Sequence, residues 1–154
     1  MQLLILRHGQ AEPMFGDDAA RQLTERGRAQ VAGICARRAD ELAQVRAIWA
    51  SPFVRTLQTA QIVAEHLQLP VTTQPLLIGD TDPQAVLDAL QQADAADFPL
   101  LLVSHQPLVG SLVNGLCGSD NAHPLGTSSL ACLNADVWAN GCAELAWLQH
   151  ADGI

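Results

Sequence analysis

Arg7 and His8 directly follow a short apolar run, Leu3-Leu4-Ile5-Leu6, and Gly9 comes next. The run is typical of a buried strand, so His8 should emerge at the carboxyl end of that strand. In open α/β sheets, ligands bind at this end of the strands. All eight basic residues of the chain are arginines. Any phosphate that the chain binds by side-chain charge must therefore be held by arginine or histidine.

Two further predicted strands also lead into side chains that can bind phosphate. Residues 47–50 predict a strand that continues into Ser51-Pro52 and then Arg55. Residues 100–103 predict the clearest buried strand, and His105 comes two residues after it. Such strand ends lie at one edge of a parallel sheet, so these side chains should converge with the first pair.

The converging set contains two arginines, two histidines and the N-terminus of a helix, which together predict a site for a phosphoryl group. Its members are Arg7, His8, Arg55 and His105. Ser51 is a favoured helix N-cap and Pro52 suits the first helical position. Arg55 would then lie in the first turn, opposite the apolar stripe of the helix, where it need not be buried.

The remaining elements are predicted from caps and hydrophobic periodicity. Thr24 and Asp82 are typical N-caps, and a further helix should run from Pro107 to about Cys117, with Gly118 as its stop. The tail predicts two strands joined by a hairpin turn at Asn140-Gly141; they cover residues 129–137 and 143–148.

Strands that alternate with helices indicate right-handed crossovers and a parallel sheet. The final hairpin adds an antiparallel strand, so we expect a three-layer α/β/α fold around a mostly parallel mixed sheet. The length of 154 residues predicts a single domain over 1–154.

Composition excludes several classes of protein. The net charge of −8 argues against a nucleic-acid binder. No run of about 18 apolar residues exists to span a membrane, and no secretory signal is evident, so we expect a cytoplasmic protein.

The four cysteines lack zinc-site spacing, so we expect them to be reduced residues of the core. They are Cys35, Cys117, Cys132 and Cys142.

Four motifs spread over the chain resemble those of the histidine phosphatase superfamily, also called phosphoglycerate-mutase-like. They are Leu-Arg-His-Gly at 6–9, Arg-x-Leu-Thr-x-x-Gly at 21–27, Ser-Pro-x-x-Arg-Thr-x-Gln-Thr-Ala at 51–60 and Val-Ser-His-x-Pro-Leu-Val-Gly at 103–110. Within the superfamily, the short length and the form of the last motif are most similar to bacterial SixA-type phosphohistidine phosphatases.

The resemblance implies a phosphoglycerate-mutase-like fold and a transfer that needs neither metal nor cofactor. His8 would attack phosphorus and become phosphorylated, while Arg7, Arg55 and His105 hold the equatorial oxygens. Gly9 would let the backbone approach the phosphate, and Arg21, in its matching motif, would be a fifth phosphate contact. Which nitrogen of His8 attacks depends on its hydrogen-bond partner and stays open.

A general acid is not evident in the sequence. Many superfamily members that cleave phosphate esters use a carboxylate just after the edge strand, where this chain has Asp80 and Asp82. Asp82 is better explained as a helix cap, and Asp80 is equally well explained as a solvated turn residue. SixA-type proteins similarly lack a clear acid, and the leaving imidazole of phosphohistidine can be protonated near neutral pH.

The leading hypothesis is a phosphatase that acts on a phosphorylated histidine of a signalling relay domain, and nothing demands more than a monomer. The alternatives are a small-molecule phosphomonoesterase of the same superfamily and a phosphate-binding module without turnover. A further histidine, His123, lies in the loop 119–127 and could line the groove.

Overall fold

The computed structural model describes residues 1–13, 16–119 and 125–151. The strands are β1 (Gln2–Arg7), β2 (Ala47–Ala50), β3 (Val71–Thr73), β4 (Leu100–Ser104), β5 (Leu130–Ala135) and β6 (Ala143–Gln149). The helices are α1 (Glu25–Arg37), α2 (Ala39–Leu42), α3 (Val54–Leu67), α4 (Pro83–Gln92) and α5 (Leu108–Cys117). Short 3-10 turns span Asp18–Ala20, Pro75–Leu77 and Ala95–Asp97.

The six strands form one mixed sheet in the order β3-β2-β4-β1-β5-β6. The pairs β3–β2, β2–β4 and β4–β1 are parallel, whereas β5 runs antiparallel to both β1 and β6. The predicted mostly parallel mixed sheet is therefore confirmed.

Helices cover both faces of the sheet and create two apolar layers. Alternate residues of β1 point into opposite layers, since Leu3 and Ile5 pack with α4 and α5, whereas Leu4 and Leu6 pack with α1 and α3. β4 is buried along its whole length, as expected for a central parallel strand with both faces covered. The predicted three-layer α/β/α fold is confirmed.

The register of the three central strands brings their carboxyl ends level. Val103 of β4 pairs with Leu6 of β1 on one side and with Ala50 of β2 on the other. The backbone N–H of His8 donates to Ser104 at 3.1 Å, which continues the ladder past the end of β1. The residues that follow the strands consequently start from neighbouring positions at one edge.

The loop after β1 is clamped against the start of α1. Thr24 caps α1 as predicted, since its side chain accepts from the N–H of Gly27. The backbone N–H of Thr24 donates to the carbonyl oxygen of Gln10 at 3.0 Å. A Cβ at Gly27 would lie 2.1 Å from that same oxygen, so only glycine permits this close approach.

The sequence prediction for the start of α3 is wrong. The helix begins at Val54 with Phe53 as its cap residue, so Ser51 does not cap it and Pro52 is not its first residue. The chain needs two extra residues to turn from β2 into the helix. Ser51 is thereby left at the strand end, where it is fully buried.

Two further predictions need correction in the tail. Strands β5 and β6 pair as expected, but seven residues, 136–142, connect them rather than a tight two-residue turn at Asn140-Gly141. All four cysteines are free, as predicted. Cys142 is exposed in that connection, however, so the prediction that every cysteine lies in the core is wrong.

The two glycines of α1 make a matched test of this packing. Gly27→Ala should lower the free energy of unfolding by about 1–3 kcal/mol, the usual cost of overpacking. Gly33→Ala should raise it by about 0.5–1 kcal/mol, because Gly33 lies in the same helix with open space around a Cβ. Urea denaturation measures both values, and equal effects would contradict the proposed clamp.

Candidate active site

His8 follows β1 and is only 7% exposed. Its Nδ1 lies 2.7 Å from the carbonyl oxygen of Gly9. Because a carbonyl oxygen only accepts, Nδ1 carries the proton and Nε2 keeps a free lone pair. Burial lowers the pKa of His8 to about 4, with the charges of Arg55, Arg7 and Arg21 acting in the same direction against the Gly9 hydrogen bond. The imidazole is therefore neutral at pH 7, with Nε2 as its nucleophilic atom.

Gly9 is held by packing against its neighbouring elements. Its N–H donates to the Thr59 hydroxyl on α3 at 3.1 Å. A Cβ at this position would lie 2.9 Å from the carbonyl oxygen of Gly27 and 3.0 Å from Val31. Glycine is needed at this position because the close contact with α1 leaves no room for a side chain. An approach of this backbone to phosphate stays a prediction.

His105 lies beside His8, with 5.3 Å between the ring centroids. It is 3% exposed, and its Nε2 is 2.7 Å from the hydroxyl oxygen of Ser51. Burial, followed by the neighbouring His8 and Arg55, lowers the pKa of His105 to about 3. This imidazole is also neutral, and because a hydroxyl can either donate or accept, the Ser51 contact is compatible with a proton on either nitrogen of His105.

The two predicted arginines reach the same place from different elements. Arg55 is 6% exposed, so the expectation that it need not be buried is wrong. The turn that contains Asp18 covers it: Nη1 of Arg55 donates to the backbone oxygen of Asp18 at 2.8 Å. Arg7 is half-buried and donates through Nη1 to the carbonyl oxygen of Leu125 at 2.9 Å. Burial and the charge of Arg55 lower the pKa of Arg7, although a guanidinium stays protonated in proteins.

Asp18 joins two of the cations and was not identified from the sequence. Its carboxylate lies 3.3 Å from Nη2 of Arg55 and 2.8 Å from Nε of Arg21. Burial opposes ionisation, but the two guanidinium groups outweigh it and hold the pKa of Asp18 below its usual value. The bridge relieves repulsion between the arginines. An Asp three residues before Arg21 was the only sequence signal for this contact.

Three buried polar atoms of the site have no hydrogen-bond partner among the described residues. They are Nε of Arg7, Nε of Arg55 and Nδ1 of His105. Buried polar groups in proteins are nearly always paired. Their concentration around His8 is what a binding site for an oxygen-rich anion requires.

A cavity of about 300 Å³ lies against Arg55 and His105, whereas His8 and Arg7 are not part of its lining. Asp18, Phe53, Arg55, Ile78, Gly79, Asp80, His105, Gln106 and Pro107 line it. Of the two candidate acids, Asp80 borders the cavity, whereas Asp82 caps α4 by accepting from the N–H of Gln84 at 3.0 Å. The cap explanation of Asp82 is thus confirmed.

Within residues 1–13, 16–119 and 125–151, no three side chains of the His, Cys, Asp or Glu type are grouped as metal ligands. Over the same residues, no helix has the length and apolar character needed to cross a membrane. His123 lies outside the described residues.

The arrangement can perform nucleophilic substitution at phosphorus. A neutral imidazole with a free Nε2 lies among guanidinium groups that match phosphate oxygens. Positioning and charge stabilisation supply most of the catalysis of phosphoryl transfer.

Sequence comparison relates the chain to known phosphatases. Residues 3–78 match the model of the histidine phosphatase superfamily (branch 1). The phosphohistidine phosphatase SixA of Escherichia coli (strain K12) is 32% identical over 146 residues, which cover 92% of this chain and 89% of that protein. A SixA homolog of Haemophilus influenzae is 29% identical over 164 residues, covering 100% of this chain and 98% of the homolog.

Structural comparison gives the same relationship. The structure of the protein histidine phosphatase SixA complexed with tungstate superposes with a TM-score of 0.85 at 29% sequence identity. The match covers 97% of each chain.

We expect the ring of His8 to titrate with a pKa of about 4, well below the ordinary 6.5. Protonation occupies the Nε2 lone pair, so the nucleophilic form should be complete at pH 7 and fall about tenfold per pH unit below pH 4. Nitrogen-15 NMR across pH 3–8 measures both the pKa and the tautomer. A midpoint near 6.5, or a proton on Nε2 at pH 7, would contradict this assignment.

Ser51→Ala should lower turnover by about tenfold, because His105 loses the hydrogen bond that holds its ring in position. The variant should stay folded and show an altered pH profile. Rescue by Ser51→Thr, which keeps the hydroxyl, separates the hydrogen bond from simple packing. A normal pH profile in Ser51→Ala would show that the Ser51 hydroxyl has no effect on His105.

Proposed function

The chain belongs to the histidine phosphatase superfamily, and we propose that it removes the phosphoryl group from a phosphorylated histidine of a signalling relay (histidine phosphotransfer) domain. The observation that carries the proposal is the state of His8, which is neutral, buried and protonated on Nδ1. Such a histidine can accept a phosphoryl group on Nε2 and release it to water, with one site serving both steps.

The roles of the site residues follow from their positions. His8 attacks phosphorus and becomes phosphorylated. Arg7, Arg55 and His105 bind the equatorial oxygens through groups that converge beside it, and their fixed positions stabilise the charge of the transition state. Arg21 reaches the same cluster through Asp18, which supports its role as an additional phosphate contact.

Phosphohistidine suits this site better than a phosphate ester. An alkoxide leaving group needs a positioned acid, whereas an imidazole leaves readily once it is protonated. Both relatives described above are named as phosphohistidine phosphatases or their homologs. The SixA structure holds tungstate, a tetrahedral oxyanion that has the shape of phosphate. These findings support the same chemistry here.

A protein substrate is favoured because the cavity reaches the surface. Asp80 borders the cavity and is exposed, so a histidine side chain can enter from a docked domain. A cytoplasmic location, a single domain, a monomeric state and independence from metals remain predictions.

The second candidate is a small-molecule phosphomonoesterase, and the position of Asp80 is the observation that favours it. A carboxylate beside the cavity could protonate a leaving oxygen. A module that only binds phosphate is disfavoured, since a nucleophile with a free lone pair has no role in binding alone.

The proposal predicts that phosphate passes from the relay domain to His8. A histidine phosphotransfer domain labelled on its histidine should lose the label to inorganic phosphate, with EDTA causing no change. A rapid quench that avoids acid, followed by mass spectrometry, should find the phosphorylated peptide that contains His8. An aryl phosphate should be a much poorer substrate.

The control is His8→Ala, which should show neither turnover nor labelling. Full activity in this variant, or label on another residue, would contradict the mechanism. Faster turnover of alkyl or aryl phosphates than of every phosphorylated domain would instead support the phosphomonoesterase. Inhibition by EDTA that a divalent ion reverses would contradict independence from metals.

A further inference from the structure

The lining of the cavity beside His105 combines two kinds of residue. Arg55 and His105 carry nitrogens that suit phosphate oxygens. Phe53 packs against both of them, with 4.9 Å between its ring centroid and that of His105 and 5.0 Å from its centroid to the Arg55 guanidinium carbon. Ile78, Pro107 and Asp80 also line the cavity, and we call the part that these three residues form its leaving-group side.

A second observation, which does not involve Asp80, also indicates that a ligand binds in this cavity. His105 is 97% buried, corresponding to its 3% exposure, and lines the cavity, yet its Nδ1 has no hydrogen-bond partner among the described residues. A buried imidazole nitrogen without a partner is costly. A phosphoryl oxygen that accepts from this nitrogen would remove that cost, and Asp80 lines the same cavity.

The two carboxylates that line the cavity differ in their partners. Asp18 is engaged by Arg55 and Arg21, so its charge is largely balanced within the protein. Asp80 is exposed and forms neither an ion pair nor a hydrogen bond with any described residue. The leaving-group side of the cavity therefore carries an unbalanced negative charge.

We propose that this side of the cavity is a subsite for the imidazole ring of the substrate in its protonated, cationic form, with the Asp80 carboxylate as the counter-charge. The inference rests on the proposed function and specifies the leaving group that the site selects. Phe53 is not part of this subsite, because its ring packs against Arg55 and His105.

The reaction at this subsite balances without a proton donor from the protein. A bond forms between Nε2 of His8 and phosphorus as the phosphorus–nitrogen bond of the substrate breaks. The bonding pair returns to the substrate ring, which leaves as neutral imidazole because its other nitrogen already carries a proton. Water then cleaves phospho-His8, giving dihydrogen phosphate and neutral His8.

Asp80 consequently acts as a counter-charge rather than as a general acid. It favours the protonated ring, which is the reactive form of the substrate. The same charge disfavours leaving groups that are anionic or that carry a carboxylate of their own. The subsite thereby selects phosphohistidine against the anionic phosphates of small metabolites.

Other charged groups around the cavity act on the bound ring as well. The residues that surround it or lie next to its lining are Arg7, His8, Asp18, Arg21, Arg55 and His105. Both histidines are neutral above pH about 4, and the arginines stay charged. Between pH 6 and 9, the ring of the substrate is thus the group near Asp80 whose protonation changes.

The test compares Asp80→Asn and Asp80→Lys with the matched control Asp82→Asn, which keeps its helix cap and does not line the cavity. The substrates are N-phosphoimidazole, its ring-methylated analogue with a permanent positive charge, and an alkyl phosphate, whose alkoxide leaving group needs an acid. The measured quantity is kcat/KM from pH 6 to 9. N-phosphoimidazole isolates the leaving group from the rest of a protein partner.

At pH 8, Asp80→Asn should lower kcat/KM for N-phosphoimidazole by about two- to fivefold, the range expected for one exposed ion pair. Asp80→Lys should lower it by roughly tenfold, since attraction becomes repulsion. Because kcat/KM compares the free substrate with a transition state that contains the protonated ring, the size of this loss should be the same from pH 6 to 9. The methylated analogue should show a loss of the same size at every pH, and Asp82→Asn should match the wild type throughout.

Three outcomes have distinct meanings. If Asp80→Asn behaves like Asp82→Asn on N-phosphoimidazole, the subsite is wrong while the proposed function stands. If Asp80→Asn loses 10²-fold or more on the alkyl phosphate, Asp80 is a general acid and the counter-charge role is wrong. If the wild type cleaves the alkyl phosphate but neither N-phosphoimidazole nor a phosphorylated domain, the proposed function itself fails.

Discussion

The parallel register of β2, β4 and β1 is the constraint on which the whole site depends. Because Val103 pairs with both Leu6 and Ala50, the chain leaves all three strands at the same level. His8, His105 and Ser51 follow from these positions, and the two imidazoles meet at 5.3 Å. A slip of one residue in β1 would turn its side chains to the opposite face, and His8 would leave the site.

Burial then determines the chemistry that these side chains can perform. An imidazole removed from water and surrounded by guanidinium groups stays neutral, so the lone pair of His8 is available at physiological pH. The same burial is unfavourable for a cluster of arginines. The carboxylate of Asp18 offsets part of that cost by bridging Arg55 and Arg21, and a bound phosphate would offset more.

The contrast between Asp18 and Asp80 shows how a protein with a net negative charge can bind an anion. The net charge of −8 opposes the approach of phosphate from solution. Asp18 is paired with the cations that face the site, whereas Asp80 remains unpaired on the leaving-group side. Local placement of charge, rather than the total, therefore sets what the cavity can bind.

The sequence by itself determined the alternation of elements and the four side chains of the site, since apolar runs that end in Arg or His are a local signal. It also determined the caps at Thr24 and Asp82, where short-range hydrogen bonds decide the outcome. Only the tertiary structure decided the role of Ser51, the burial of Arg55 and the participation of Asp18. These depend on contacts between residues far apart in the chain, and no local pattern encodes how closely such segments pack.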